Sequence, residues 1–180
     1  ELVEYYREPL RLGRDVFSKN KLSESTINKL IDLLARYSDI FKERNIEETY
    51  FIATSAVRDS ENSDVLISKL KEKNIHLKIL TGKQEASLLV NFNKDIEDSA
   101  VIDIGGGSVE VCINSKSNMH YESFQLGAVR LLNLNQDQRY EAMSQFGNWL
   151  EEFTPIPTTF GLGGNLRAIM QANDHKGLIH

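Results

Sequence analysis

Across residues 22–44, apolar side chains return every three or four positions: Ile27, Leu30, Ile31, Leu34, Tyr37 and Phe41. That spacing predicts an amphipathic helix, with Ser23 or Ser25 placed to cap it. The run TYFIAT, residues 49–54, gathers β-branched and aromatic residues and predicts a buried strand. A mostly polar stretch follows, then a helix carried by Val65, Leu66, Ile67 and Leu70. HLKIL, residues 76–80, alternates and predicts a short strand. TGKQEASLLVNF then opens a helix at Thr81, and Gln84 three residues on completes the pattern of a capping box.

The texture changes after NKDIEDS. AVIDI, SVEVCIN and MHYESFQL predict three strands in quick succession, joined by GGG and SKSN. Helices are expected over residues 128–132 and 140–153. TPIPT reads as a linker, TFGLGG as a strand ending in glycines, and NLRAIM as the start of a last helix. The first half therefore alternates helix and strand, while the second begins with a meander. A boundary is expected near Ile96, between units spanning residues 1–96 and 97–180. No repeat of fixed period is present.

Composition narrows the class without naming a function. The 180 residues are 41% hydrophobic and 26% charged, as in soluble globular chains. No apolar run approaches the roughly 20 residues that span a bilayer, so no membrane role is expected. The net charge of −5 argues against duplex DNA as a partner, since a broad basic face is required there. A single cysteine, Cys112, excludes an intrachain disulfide and makes a cytoplasmic home the simplest reading. Cys112 sits in a strand-like run and reads as buried filler rather than a reactive thiol. The four histidines have no partners at metal-ligand spacing, and Trp149 reads as helix packing. The opening ELVEYYREPLRLG has no basic segment followed by an apolar core, so no secretory leader is expected. It lacks an initiator Met and begins in mid-pattern, which suggests part of a longer polypeptide.

VIDIGGGSVEV, residues 101–111, carries the most distinctive chemistry. A dinucleotide fingerprint needs G-x-G-x-x-G running into a helix, but Glu110 holds the third glycine position and a strand pattern follows. A P-loop is excluded because no Gly-Lys-Ser/Thr follows. Two readings stay open: a glycine-rich β-turn, or a nest of main-chain amides that holds an anion. In the second, Asp103 at the strand end can hold magnesium beside a phosphate. ATSAVRD, residues 53–59, puts Ser55 and Arg58 just past a strand, where they are either phosphate ligands or an ordinary helix surface. Glu85, in the first turn of the helix opened by TGKQEA, suits the helix dipole whatever else it does. GLGGN, residues 161–165, is a tight βα turn or a backbone packed on a nucleotide or polyphosphate.

In this order and spacing, IATSAVRDSEN, LTGKQEASLL, VIDIGGGSVEV and QLGAVRL resemble the exopolyphosphatase/guanosine pentaphosphate phosphohydrolase family. The family belongs to the actin, Hsp70 and sugar kinase superfamily. The resemblance runs from about Arg11 to the end. It implies an α/β fold of two RNase H-like (actin-like ATPase) lobes around a cleft, both incomplete in this sequence. Residues 105–108 (Gly105, Gly106, Gly107 and Ser108) then form the second lobe's phosphate loop, with Gly163 and Gly164 in a further phosphate-binding turn. Ser55 and Arg58 match positions that hold the terminal phosphate. Asp103 and Glu110 match carboxylates linked to magnesium, and Glu85 matches the catalytic base.

The implied activity is magnesium-dependent release of terminal phosphate from inorganic polyphosphate. Guanosine pentaphosphate is the alternative substrate, and a non-catalytic polyphosphate or nucleotide sensor the rival class. A phosphotransferase of the sugar kinase type fits ATSAVRD and TGKQEA less well. Relatives often form homodimers. The chain departs from the family pattern in four respects. It has no Asp-x-Gly-Ser phosphate loop, it has Gln84 before Glu85 where many relatives have a glutamate pair, it has Asn165 where many have threonine, and its loops near residues 133–137 and 151–155 are short.

Overall fold

In the computed structural model, which describes residues 5–153 and 155–172, the polar and apolar pattern resolves into two sheets with helices packed on them. Thr154 of the TPIPT linker, His175 and His180 lie outside the described residues. The chain opens with α1 (Leu12–Lys19) and α2 (Glu24–Glu43). Ser23 caps α2 as expected, its Oγ accepting the Thr26 amide at 3.2 Å. The strand β1 (Phe51–Ala53) leads into the single turn α3 (Ser55–Arg58), and α4 (Ser63–Glu72) returns to β2 (Leu77–Ile79). β1 and β2 pair in parallel, with Phe51 opposite Leu77. Val16, Ile27, Leu30, Ile31, Val57, Leu66 and Leu70 form the core around them.

TYFIAT is a strand only over three residues and is less buried than its composition predicts. Ile52 is 54% exposed, because β1 has a paired neighbour on one side only among the described residues. The expected capping box at Thr81 is present at the start of α5 (Gly82–Leu88), which continues into α6 (Val90–Asn93).

The second sheet contains β3 (Ser99–Ile104), β4 (Val109–Ser115), β5 (Asn118–Phe124) and β6 (Thr158–Leu162), in the order β5-β4-β3-β6. The three meander strands pair antiparallel, and β6 adds in parallel to β3. Lys116 and Ser117 take φ of 52° and 61° in the two-residue turn between β4 and β5, the left-handed geometry that matches strand twist. Two short helices complete the second half, α7 (Ala128–Leu131) and α9 (Gly163–Ala172), together with the long α8 (Gln136–Glu151). α8 begins four residues before the apolar pattern predicts, because Asn135 and Gln138 make a capping box over an all-polar first turn.

Register assigns the two faces of this sheet. Val109, Val111 and Ile113 face α8, packing with Phe124, Phe146 and Trp149, so Trp149 is a packing residue. Val101 and Cys112 face α5 and α6, against Leu89 and Val90. Cys112 is buried, as expected, and burial pushes its thiol up to about 11. Asn93 and Asn114 lock α6 onto this face. Asn93 Nδ2 donates to the Ser99 and Cys112 carbonyls, and Asn114 Nδ2 to those of Asn93, Lys94 and Ile96. α1 was not signalled by periodicity, because Gly13 sits in its first turn and Val16 is its one buried residue. No helix among the described residues is long and apolar enough to cross a membrane.

Candidate active site

The face of the second sheet that carries Cys112 also carries the acidic residues. Asp103 stands directly opposite Glu110, and Glu110 directly opposite Ser123. Partners of this kind project to the same face, so β3, β4 and β5 present one transverse row of Asp103, Glu110 and Ser123. The Ser123 hydroxyl donates to Glu110 Oε1 at 2.8 Å. Burial raises the Asp103 carboxyl above its ordinary range. Like charges placed directly opposite repel, and no lysine or arginine among the described residues pairs with either carboxylate.

α5 lies over this face and brings Glu85 with it. The close approach of Gly82 to Ser123 seats the helix: a Cβ on Gly82 would lie 2.6 Å from the Ser123 hydroxyl. Arg58, at the end of α3, ion-pairs through Nη1 with Glu85 Oε2. The same Nη1 donates to the Leu80 carbonyl at 2.9 Å, and Nε donates to Asp59 at 3.3 Å. With side-chain exposures of 18% and 15%, Arg58 and Glu85 are no ordinary surface pair. Arg58 Nη2 is buried and has no hydrogen-bond partner among the described residues, a costly state for a guanidinium nitrogen. Burial raises the Glu85 carboxyl, and the negative charges of Glu110 and Asp59 add to that, while Arg58 opposes it.

Residues 105–108 connect β3 to β4, closed by the Gly105 amide donating to the Ser108 carbonyl at 3.0 Å. All three glycine carbonyls turn toward α7. Gly105 O accepts from the Ala128 amide, Gly106 O from those of Val129 and Arg130, and Gly107 O from Arg130 Nε at 2.6 Å. The amides of Gly106, Gly107 and Ser108 take no part in that network. The glycines are needed for proximity: a side chain on Gly107 would strike Phe17 and Ser55, and one on Gly127 would strike the backbone of Gly106 and Gly107. Ser55 is therefore held against the loop, from the other sheet.

Gly163 and Gly164 stand apart from Arg58, across Asp103 in the sheet order. Gly163 has φ +87°, and a Cβ there would lie 2.5 Å from Asp103 Oδ1. Asn165 fixes the turn by donating to the Ile104 carbonyl at 2.8 Å. The structure thus gathers Ser55, Arg58, Glu85, the glycine loop and Glu110 into one neighbourhood, with Asp103 beside the turn of Gly163. Sequence reasoning missed four neighbours of this group: Phe17, Asp59, Ser123 and Arg130. Asp59 and Arg130 fall within ATSAVRD and QLGAVRL, but nothing local indicates that they meet.

Comparison with known proteins identifies the lineage. The model of the Ppx/GppA phosphatase family matches residues 2–168. This chain belongs to that family. The bifunctional 3-dehydroquinate synthase/phosphatase of Fusobacterium nucleatum is 31% identical over 165 residues, covering 81% of this chain and 24% of that protein. Exopolyphosphatase 1 of Mycobacterium tuberculosis is 33% identical over 129 residues, covering 68% and 38%. The crystal structure of an exopolyphosphatase from Cytophaga hutchinsonii superposes with a TM-score of 0.70 at 26% identity, covering 90% of this chain and 59% of that one. The chain thus spans less than two thirds of each of these relatives, and its fold is that of Ppx/GppA proteins.

Members of this phosphatase family raise the question of a divalent cation. Among the described residues no three histidine, cysteine or carboxylate side chains converge as a ready-made cage. The paired Asp103 and Glu110 nonetheless suit a hard divalent cation, which can bind through one or two carboxylates and take phosphate oxygens for the rest.

Proposed function

We propose that the full protein hydrolyses the terminal phosphoanhydride bond of inorganic polyphosphate. The observation that carries this reading is the buried Nη2 of Arg58, unpartnered among the described residues and held on a guanidinium that pairs with Glu85, with Ser55 of the same turn against the glycine loop. A guanidinium nitrogen in that state is satisfied by an anionic oxygen, and a phosphoryl group is the anion that arginine and main-chain amides recognise together.

Each residue has a role that the chemistry requires. Phosphoanhydride hydrolysis needs a water in line with the leaving oxygen and charge stabilisation on the phosphoryl oxygens. Arg58 Nη2, the Ser55 hydroxyl and the amides of Gly106, Gly107 and Ser108 bind and orient the terminal phosphate. Glu85 Oε2 is taken by Arg58, which leaves Oε1 to accept a proton from water. Asp103 and Glu110 would hold magnesium, which when bound neutralises charge on the phosphates. Gly163 and Gly164 line the Asp103 side of the site, where the remaining phosphates of the chain run. In this reading residues 1–96 supply Ser55, Arg58 and Glu85, and residues 97–180 supply the loop and the carboxylates. Polyphosphate is preferred to guanosine pentaphosphate because, among the described residues, no side chain at the site offers guanine a matching set of donors and acceptors.

The test is phosphate release by the full-length protein, with magnesium, from polyphosphate and from guanosine pentaphosphate. Faster release from polyphosphate supports the reading. Faster release from guanosine pentaphosphate reverses the substrate assignment, and binding of both without release makes the protein a sensor.

A further inference from the structure

Arg130 belongs to neither the phosphate-binding set nor the carboxylates, yet it touches both halves of the site. Its Nε donates to the Gly107 carbonyl at 2.6 Å, and its Nη2 pairs with Asp59 Oδ2. The other carboxylate oxygen of Asp59 accepts Arg58 Nε at 3.3 Å. The guanidinium carbon lies 4.5 Å from the centre of the Phe17 ring, whose edge also closes against Gly107. A continuous chain of contacts therefore runs from the Gly107 carbonyl through Arg130, Asp59 and Arg58 to Glu85. It joins the loop of the second sheet to the arginine beside the first.

We propose that Arg130, acting through Asp59, is a positioning residue that sets the orientation of Arg58 relative to the glycine loop. This rests on the phosphatase reading above. Three points carry it. Asp59 is shared by two guanidinium groups, so Arg58 Nε and Arg130 Nη2 must lie on its two oxygens at once. Arg58 Nη1 is already spent on Glu85 and Leu80, so the direction of the free Nη2 follows from where Asp59 stands. Finally, a planar fork can serve the Gly107 carbonyl and Asp59 together while stacking on a ring, which the single ammonium of lysine cannot do.

The experiment measures kcat and KM for polyphosphate in the full-length protein, comparing wild type with Arg130→Met, Arg130→Lys, Asp59→Asn and the double variant Arg130→Met/Asp59→Asn. Arg139→Met, an exposed arginine of α8, serves as the control and keeps wild-type rates. Misplacement of the phosphoryl group should lower kcat by roughly 10²-fold in Arg130→Met, with KM moving far less. Arg130→Lys should fail to restore it. The double variant should be no slower than the worse single variant, since both cut one path. An unchanged kcat in Arg130→Met, full rescue by lysine, or multiplying losses would overturn the proposal. Should Arg130→Met not fold, the lysine and Asp59→Asn variants decide.

A second readout needs no turnover. In nuclear magnetic resonance spectra the Arg58 Nε proton should exchange slowly with water in wild type and faster in Arg130→Lys. Equal exchange rates overturn the positioning role. If wild type releases no phosphate, the phosphatase reading fails, and the proton exchange still decides whether Arg130 orders Arg58.

Discussion

β4 of the second sheet and β1 of the first are enclosed to very different degrees. From Val109 to Asn114 every β4 side chain is buried, with α8 on one face and α5–α6 on the other. Among the described residues β1 has one hydrogen-bonded neighbour; it is three residues long, with Ile52 54% exposed in it and Tyr50 76% exposed just before it. The groups assigned to chemistry, Arg58 and Glu85, follow the two short strands of the weaker sheet. They are not left to that sheet for support. Gly82 closes on Ser123, Ser55 on Gly107, and Asp59 pairs with Arg130, so the better-built half also contacts the segments that carry these side chains. The site is therefore held by contacts between the halves as well as by those of Arg58 with Glu85, Leu80 and Asp59 within the first.

The largest structural effect should fall in the second sheet. Ile113→Ala empties a fully buried position against α8 and should cost about 2–4 kcal/mol in chemical denaturation. A loss as small as that of an exposed residue would erase the contrast between the sheets. Gly127→Ala comes next. Gly127 has φ −60° and ψ 147°, which any residue adopts, so its cost is purely the collision with the Gly106 and Gly107 backbone. It should lower stability by about 1–3 kcal/mol and reduce phosphate release, since the loop must shift. Normal activity would mean that loop placement is not critical.

A smaller effect is expected on the pH profile. Glu85 must be ionised to accept a proton, and burial raises its carboxyl. The rate should therefore fall, as pH decreases, at a pH above the ordinary glutamate range. Asp59 contributes to that rise, so Asp59→Asn should move the acid limb to lower pH, whatever it does to kcat. An upward move would dissociate the limb from Glu85. The smallest effect belongs to the first sheet: Ile52→Ala should change stability by no more than about 0.5 kcal/mol. A core-sized loss there would show that β1 is enclosed in the full protein.

What could be read in advance was local. Thr81 with Gln84, and Ser23 as one of two candidate caps, announce helix starts from local sequence, and the meander strands carry their own composition. α1 could not be read that way, because Val16 and Phe17 earn their places only against residues brought from elsewhere. The start of α8 was hidden because Asn135 and Gln138 are polar and carry no periodic signal. The glycine loop was legible as unusual but not as to its reason: Gly107 is small to admit Phe17 and Ser55. Membership in the family placed Arg58, Glu85, Asp103 and Glu110 on the page by motif, yet the register that sets Asp103 beside Glu110 and Glu110 beside Ser123 is a tertiary fact.

The central claim is that Glu85 activates water at a phosphate held by the other side chains. Its most direct test is Glu85→Gln in the full-length protein, with phosphate release from polyphosphate and calorimetric binding of tripolyphosphate measured side by side. Gln keeps an oxygen for Arg58 but cannot accept a proton. Release should fall by roughly 10²–10⁴-fold while tripolyphosphate binding stays close to that of wild type. Release at the wild-type rate would contradict the claim.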